Sequence, residues 1–226
     1  LCHGYLVLKG ESVHRFLNII GLVVILSGCA WLKSTPDENK RLDAFFEEKF
    51  NFWLNRSPEW QTYMGLKTNY GQLDELSDAR DLEDFELTKK FFAEFRQFDV
   101  SKLDATHRLS YRIWEQRNLN EIEDFKYRYH YYPVNQMFGV QSDLPSFMIN
   151  MHRVDSKSDA EAYISRLNGF KKKFSQVVER LEASAKIGVI PPKFVFPKVI
   201  EDSRNVISGQ PFDESSKLSP LLEDFE

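Results

Sequence analysis

From Ser158 to Gly188 one side of the chain is apolar at a spacing of three or four: Tyr163, Leu167, Phe170, Phe174, Val177, Val178, Leu181 and Ala185. Only a long amphipathic helix turns all eight to one side. Ser158-Asp159 predicts its N-cap and Gly188 its terminator. About 29 residues at 1.5 Å each give a rod roughly 44 Å long. A rod of that length with one greasy side needs helical neighbours, so the expected class is all-α.

Shorter stretches repeat the period. Leu42, Phe45, Phe46, Phe50, Trp53 and Leu54 form one face after Asp37, which is a good N-cap and lies four residues before Arg41, a favourable pair. Ser57-Pro58-Glu59 predicts a second, short helix with serine as cap, proline at the first turn and Gly65 near the end. Asn69 to Arg80 is rich in turn formers and predicts a loop, after which the period resumes from Leu82 to Phe98. A longer helix is expected from Ala105 to Arg128, buried through Leu109, Ile113, Trp114, Leu119, Ile122 and Phe125. Tyrosines 127, 129, 131 and 132 lead to Pro133, which stops regular structure.

Residues 133 to 153 are apolar without a clean period, and Gly139 and Pro145 punctuate them, so an irregular or short-helical crossing is expected there. A shorter helix near Pro197 to Ile207 and a turn at Gly209-Gln210-Pro211 follow. Val189 to Val195 is the best strand candidate, and prolines interrupt it. Phenylalanine at 19 of 226 positions supplies volume for a core. The connections are too long for a simple up-and-down bundle, although the long helices should pack as antiparallel neighbours.

Upstream of these helices lies a different signal. His14-Arg15 forms a short basic lead, Phe16 to Leu26 is an apolar run, and Leu26-Ser27-Gly28-Cys29 closes it with small residues before a cysteine. A membrane-spanning helix needs about 20 apolar residues, and this run is well short of that. The expected organisation is therefore a lipoprotein signal peptide over 1–28, acylation of Cys29, a tether over 29–36 and a helical domain over 37–226. Leu1 in place of methionine suggests a start at Val13, and the segment ending at Glu226 suggests the N-terminal part of a longer domain.

Each buried methylene of an acyl chain contributes about 0.8 kcal/mol, so two or more chains hold a protein durably at the bilayer. Seven residues of tether reach at most about 25 Å, which keeps the helical body close to it. Ala30, where an aspartate would favour inner-membrane retention, points to the outer membrane of a two-membrane host. Removing the leader takes away Lys9, Arg15 and Glu11 and leaves 28 basic against 33 acidic side chains, an acidic balance unsuited to general nucleic-acid binding. Lys171-Lys172-Lys173 is expected on a solvated face.

His107, His130 and His152 lie far apart along the chain, unlike the four-residue spacing that places two imidazoles on one helical face to hold zinc. No ligand set for a metal and no catalytic residue is identifiable. Glu47-Glu48 and the Glu121, Glu123, Asp124 group fall on wet helix sides. Asn135 and Gln136 stand beside Tyr132 in an apolar stretch. Buried amides there must be hydrogen-bonded or lose roughly 1 to 3 kcal/mol each. Bonding to neighbouring backbone meets that need; lining a substrate cleft is the alternative.

The ordered set Ser57-Pro58-Glu59, Tyr63-Met64-Gly65, Tyr132-Pro133-Val134-Asn135-Gln136 with Gly139, Tyr163 to Leu167, Gly188 to Pro192 and Ser219 to Leu222 resembles the bacterial family known as domain of unknown function 885. The resemblance implies the N-terminal part of a larger helical fold of zinc-metallopeptidase type. It further implies an envelope lipoprotein acting on peptides, with the zinc-binding signature C-terminal to these residues. A non-catalytic helical lipoprotein that binds a peptide or protein partner is the other expectation.

Overall fold

The computed structural model describes residues 37–225; the leader, Cys29 and the tether lie outside the described residues. Eight α-helices follow one another: α1 (Glu38–Arg56), α2 (Pro58–Tyr63), α3 (Asp78–Phe95), α4 (Ala105–Asp124), α5 (Val140–Met151), α6 (Lys157–Lys186), α7 (Val195–Val206) and α8 (Pro220–Phe225). The fold is all-α, and the described residues pair as β only in two isolated bridges, Val134 with Gly139 and Gln210 with Leu218. No helix among them is long and apolar enough to cross a membrane.

Helices α1, α3 and α4 make the first layer. Phe45 meets Phe95 while Phe52 meets Phe91, and Arg56 pairs with Asp84, so α1 and α3 run antiparallel. Phe95 stacks on Tyr111 at one end of the next pair and Phe85 on Phe125 at the other, so α3 and α4 are antiparallel too. Leu42, Phe92, Phe95 and Leu103 close the core between them, with Trp114 and Ile122 packed against it. Burying one such phenylalanine stabilises the fold by about 1.5–3 kcal/mol.

A second core gathers Leu144, Phe147 and Met148 of α5 against Tyr163 of α6, with Phe170, Phe174 and Leu221 packed on it. Helix α6 starts at the Ser156 cap, whose hydroxyl accepts from the Asp159 amide, two residues earlier than the Ser158-Asp159 pattern predicts. Its end matches expectation. Gly188 takes a φ of 82° in the left-handed region, and the amides of Gly188 and Val189 return to the Ala185 and Ser184 carbonyls.

Several expectations need correction. Leu109, Ile113 and Leu119 are exposed on α4, and Tyr111 and Asn118 are buried instead. Apolar residues surround this helix, so packing against α3 chooses the Tyr111, Trp114, Asn118, Ile122 ridge. Asn118 is tolerated there because its amide donates to Trp114 O at 2.8 Å. A buried polar group that is hydrogen-bonded carries no desolvation debt.

Of the irregular or short-helical crossing expected from the sequence, residues 140–151 take the helical form, which runs across Pro145. Proline removes one ladder hydrogen bond, and burial of Leu144, Phe147 and Met148 offsets that loss. Helix α3 begins at the Ser77 cap rather than near Leu82. Arg41 pairs with Glu38 instead of Asp37. Ser57 makes no side-chain capping bond.

Candidate functional site

A polar seam runs along α6 where the loop 66–77 lies on it. Ser165 Oγ donates to Gly71 O at 2.9 Å, and Gln176 Oε1 accepts from the Leu76 amide at 2.9 Å. Arg180 closes on Asp81 at the far end. The start of α2 joins the same seam through a reciprocal clamp: the Glu59 amide donates to Asp74 Oδ1 and the Asp74 amide to Glu59 Oε1, each at 3.0 Å. Lys173 of α6 is buried and bonds that Glu59 carboxylate. It therefore belongs to the interior and not to a solvated face, unlike its exposed neighbours Lys171 and Lys172. Burial, with Glu59 alongside, raises the Asp74 pKa.

Arg166 sits deepest, with no exposed surface. Its Nε donates to Gln72 O at 2.9 Å, one terminal nitrogen donates to His152 Nδ1 at 2.8 Å, and the other to Thr62 Oγ1 at 2.7 Å and Pro58 O at 3.3 Å. The guanidinium also lies over the rings of Tyr70 and Phe147 at 5.0 and 4.9 Å. Burial pulls its pKa down to about 10, which leaves it charged at neutral pH.

These contacts fix the chemistry of His152. Guanidinium has no acceptor, so Nδ1 must accept, and Nε2 carries the proton it donates to Asp159 O at 3.0 Å. The ring is stacked on Tyr70 at 4.1 Å and meets the edge of Tyr163 at 5.2 Å. Burial, with Arg166 beside it, lowers its pKa, in agreement with a neutral ring. Tyr70 closes the circle: its hydroxyl donates to Arg153 O at 3.1 Å and accepts the Arg153 amide at 2.7 Å. Every strong group here is spent on protein partners, so the network locks α2, the 66–77 loop, α5 and α6 together.

The other histidines lie elsewhere. His107 bridges Asp104 and Asp43 at 2.8 and 3.3 Å, an arrangement in which both ring nitrogens donate, and the pair of carboxylates raises its pKa, Asp104 foremost. His130 is exposed beside Tyr127. No group of three or more histidine, cysteine, aspartate or glutamate side chains among the described residues could hold a metal ion. The residues present therefore do not fit a zinc centre.

Tyr132, Asn135 and Gln136 occupy the turn before α5. Asn135 Oδ1 accepts the amides of Met137 and Phe138 at 2.8 and 2.9 Å, and its carbonyl accepts from Gln141 Nε2 at 2.8 Å. Gln136 is exposed. Tyr132 reaches Ile190 O at 3.5 Å, bringing this turn beside the segment after α6. Gly139 has a φ of 136° and a ψ of 166°, and it bridges back to Val134. Only glycine adopts that backbone conformation without strain.

Beside this region an apolar hollow of about 350 Å³ opens between α6, the end of α7 and α8, lined by Tyr163, Leu167, Phe170, Ile207, Phe212 and Leu221 among others. Among its polar groups is the Tyr163 hydroxyl, which lies 3.3 Å from Leu221 O and 3.4 Å from Asp224 Oδ2 as a donor. Burial raises the pKa of both partners.

The Arg166–His152 network escapes sequence reasoning, yet one signal marks it. Arg166 and Lys173 stand three and ten residues after Tyr163, in phase with the buried side of α6, where a charge must find a partner.

Residues 58–225 match the family model described as "Bacterial protein of unknown function (DUF885)". No curated protein and no solved structure matches the chain.

Proposed function

The chain belongs to that bacterial family, DUF885, and from this premise we propose that it is the N-terminal helical part of a lipid-anchored envelope protein acting on peptides. Cys29 carries the lipid. The helical body supplies one wall of a peptide-binding cleft. The reaction would be zinc-dependent hydrolysis, with a metal centre formed outside residues 37–225, since these offer no ligand group.

The observation that carries the proposal is the family match, which begins at Pro58 of the Ser57-Pro58-Glu59 motif and takes in Arg166 and the turn at Gly139. Those residues hold a rigid shell together. The exposed faces beside the shell supply a surface for substrate: the apolar hollow, Gln136 and Phe138 of the turn, and Phe196 and Ile200 of α7.

Sequencing and protein assays test it. Reading the gene beyond codon 226 should reveal a helical pattern with paired histidines and an intervening glutamate, and the product of that longer frame should hold about one zinc and lose peptidase activity to a chelator. Residues 29–226 alone should bind no stoichiometric zinc. Separately, Cys29→Ser should release the protein from membranes; retention there after the change would refute the lipid anchor. A stop codon at position 227 would favour the partner-binding lipoprotein, a reading that the exposed apolar side chains of α7 also suit.

A further inference from the structure

A second hollow lies in the first layer and shares no lining residue with the one beside α6. It encloses about 260 Å³ between α1, the start of α2, α3 and α4. That is below the ~300–1,000 Å³ typical of sites for drug-sized ligands, which suits a single ring. Aromatic walls come from Trp53 and Phe91, edge to face at 5.9 Å, and from Phe50 and Trp60, edge to face at 5.3 Å. Trp60 and Phe50 stand at its mouth, 38% and 41% exposed.

Polar groups of both signs interrupt these walls. Glu121 and Arg117 project from adjacent turns of α4, and Thr88 Oγ1 donates to Glu121 Oε1 at 3.1 Å. Asn118, nearly buried, has its amide nitrogen committed to Trp114 O. Lys49 also lines the hollow, but Glu94 at 2.9 Å and Glu48 at 2.7 Å already neutralise it, and its ammonium rests over the Phe91 ring at 4.2 Å.

This mixture selects among ligands. An anion would meet the carboxylate of Glu121, and a cation would meet Arg117, in a half-enclosed space where screening is weaker than on an open surface. A purely apolar ligand would strip water from all of them without replacing its hydrogen bonds. A neutral ring with a C–H face and a rim of hydroxyls avoids each penalty. Its C–H groups meet the electron-rich faces of the aromatic rings, and each hydroxyl can donate to Glu121 while accepting from Arg117.

We propose that the hollow between α1, α2, α3 and α4 is a binding site for a neutral saccharide ring, with Trp60 as stacking platform and Glu121 and Arg117 as hydroxyl partners. The site is independent of the peptide-hydrolase proposal and stands or falls without it.

Tryptophan fluorescence and calorimetric titration of the full chain test it, with methyl β-glucopyranoside and methyl N-acetyl-β-glucosaminide as neutral probes and glucuronate and glucosamine as charged comparators. At least one neutral glycoside should saturate the fluorescence change and bind at least tenfold tighter than either charged ring. Trp60→Ala should weaken it tenfold or more. Glu121→Gln should weaken the neutral ring and raise the relative affinity of glucuronate. Both positions are exposed, and the far-ultraviolet circular dichroism of each variant should match the parent. Absence of a saturable response to both neutral probes, tighter binding of a charged ring, or unchanged affinity in folded Trp60→Ala or Glu121→Gln protein overturns the proposal.

Discussion

Replacing Arg166 with leucine probes the contact on which the second layer depends. Leucine leaves His152 Nδ1 and the Gln72 carbonyl without a donor, whereas Thr62 Oγ1 keeps its own bond to Pro58 O at 3.1 Å. Orphaning the buried His152 Nδ1 costs about 1–3 kcal/mol, and the partly buried Gln72 carbonyl, within reach of water, costs less. Loss of the cation over Tyr70 and Phe147 adds about 1–3 kcal/mol together. Against this, removing the guanidinium returns the penalty of burying its charge. That penalty is visible as a lowered pKa, and its return offsets part of the loss.

The unpaired acceptors win, and Arg166→Leu should be destabilised by about 2–4 kcal/mol. For a protein of this size about 2–4 °C of melting temperature is lost per kcal/mol, so the midpoint should fall by about 5–15 °C. Urea unfolding followed by circular dichroism at constant m-value gives the free energy. Arg166→Lys should recover only part of it, because an ammonium cannot reproduce the planar fork. A cycle with His152→Phe should show coupling of about 1 kcal/mol or more. An Arg166→Leu protein as stable as the parent would refute the reasoning, for the network would then be replaceable by apolar packing.

The same network sets a pH dependence. His152 has a folded pKa below its unfolded value of ~6.5, so its stabilisation is full above ~6.5 and is lost as pH falls from there toward the folded pKa. The parent should therefore lose more stability than His152→Gln between pH 7.5 and 5.5, and parallel urea curves would contradict it. Lys173→Met leaves the Glu59 carboxylate half-enclosed without its cation and should cost about 2–4 kcal/mol by the same unfolding assay. A loss too small to measure would place that pair in effective contact with solvent. Gly139→Ala would set a Cβ at 2.7 Å from Val134 Cα and 2.9 Å from Pro133 O, in a backbone conformation that alanine avoids. The variant should be destabilised by about 1–3 kcal/mol. Faster amide exchange in the 133–141 turn would locate that loss; an unchanged melting curve would show that the turn relaxes freely.

Helix existence was legible in the residues alone, because a period of 3.6 and its punctuation are local properties. Asp37, Pro58 and Gly188 each mark a boundary close to the observed one. Face selection was not always so. Helix α6 buries Tyr163, Leu167 and Phe170 partly or wholly as its stripe predicts, but Val178 and Ala185 of the same stripe are exposed, because no neighbour among the described residues covers them. On α4 two apolar sides compete, and Phe92 and Phe95 of α3 decide between them.

The polar seam was hidden for another reason. Arg166, His152, Thr62 and Gln72 come from distant parts of the chain, so nothing in their spacing announces that one guanidinium bonds the other three. The turn at 131–139 shows both sides of the matter: the need to satisfy the Asn135 amide could be stated beforehand, but only the folded chain decides that its own backbone meets it.

From its residues alone the chain determined an all-α class, the start and stop of most helices and the family to which it belongs. Tertiary structure decided which helix faces are inside, where Lys173 and Arg166 find partners, and how three indoles come to share one hollow with Glu121 and Arg117. Backbone periodicity and caps act across a few residues, whereas burial depends on what long-range packing brings alongside, and it is burial that makes a charge either costly or structural.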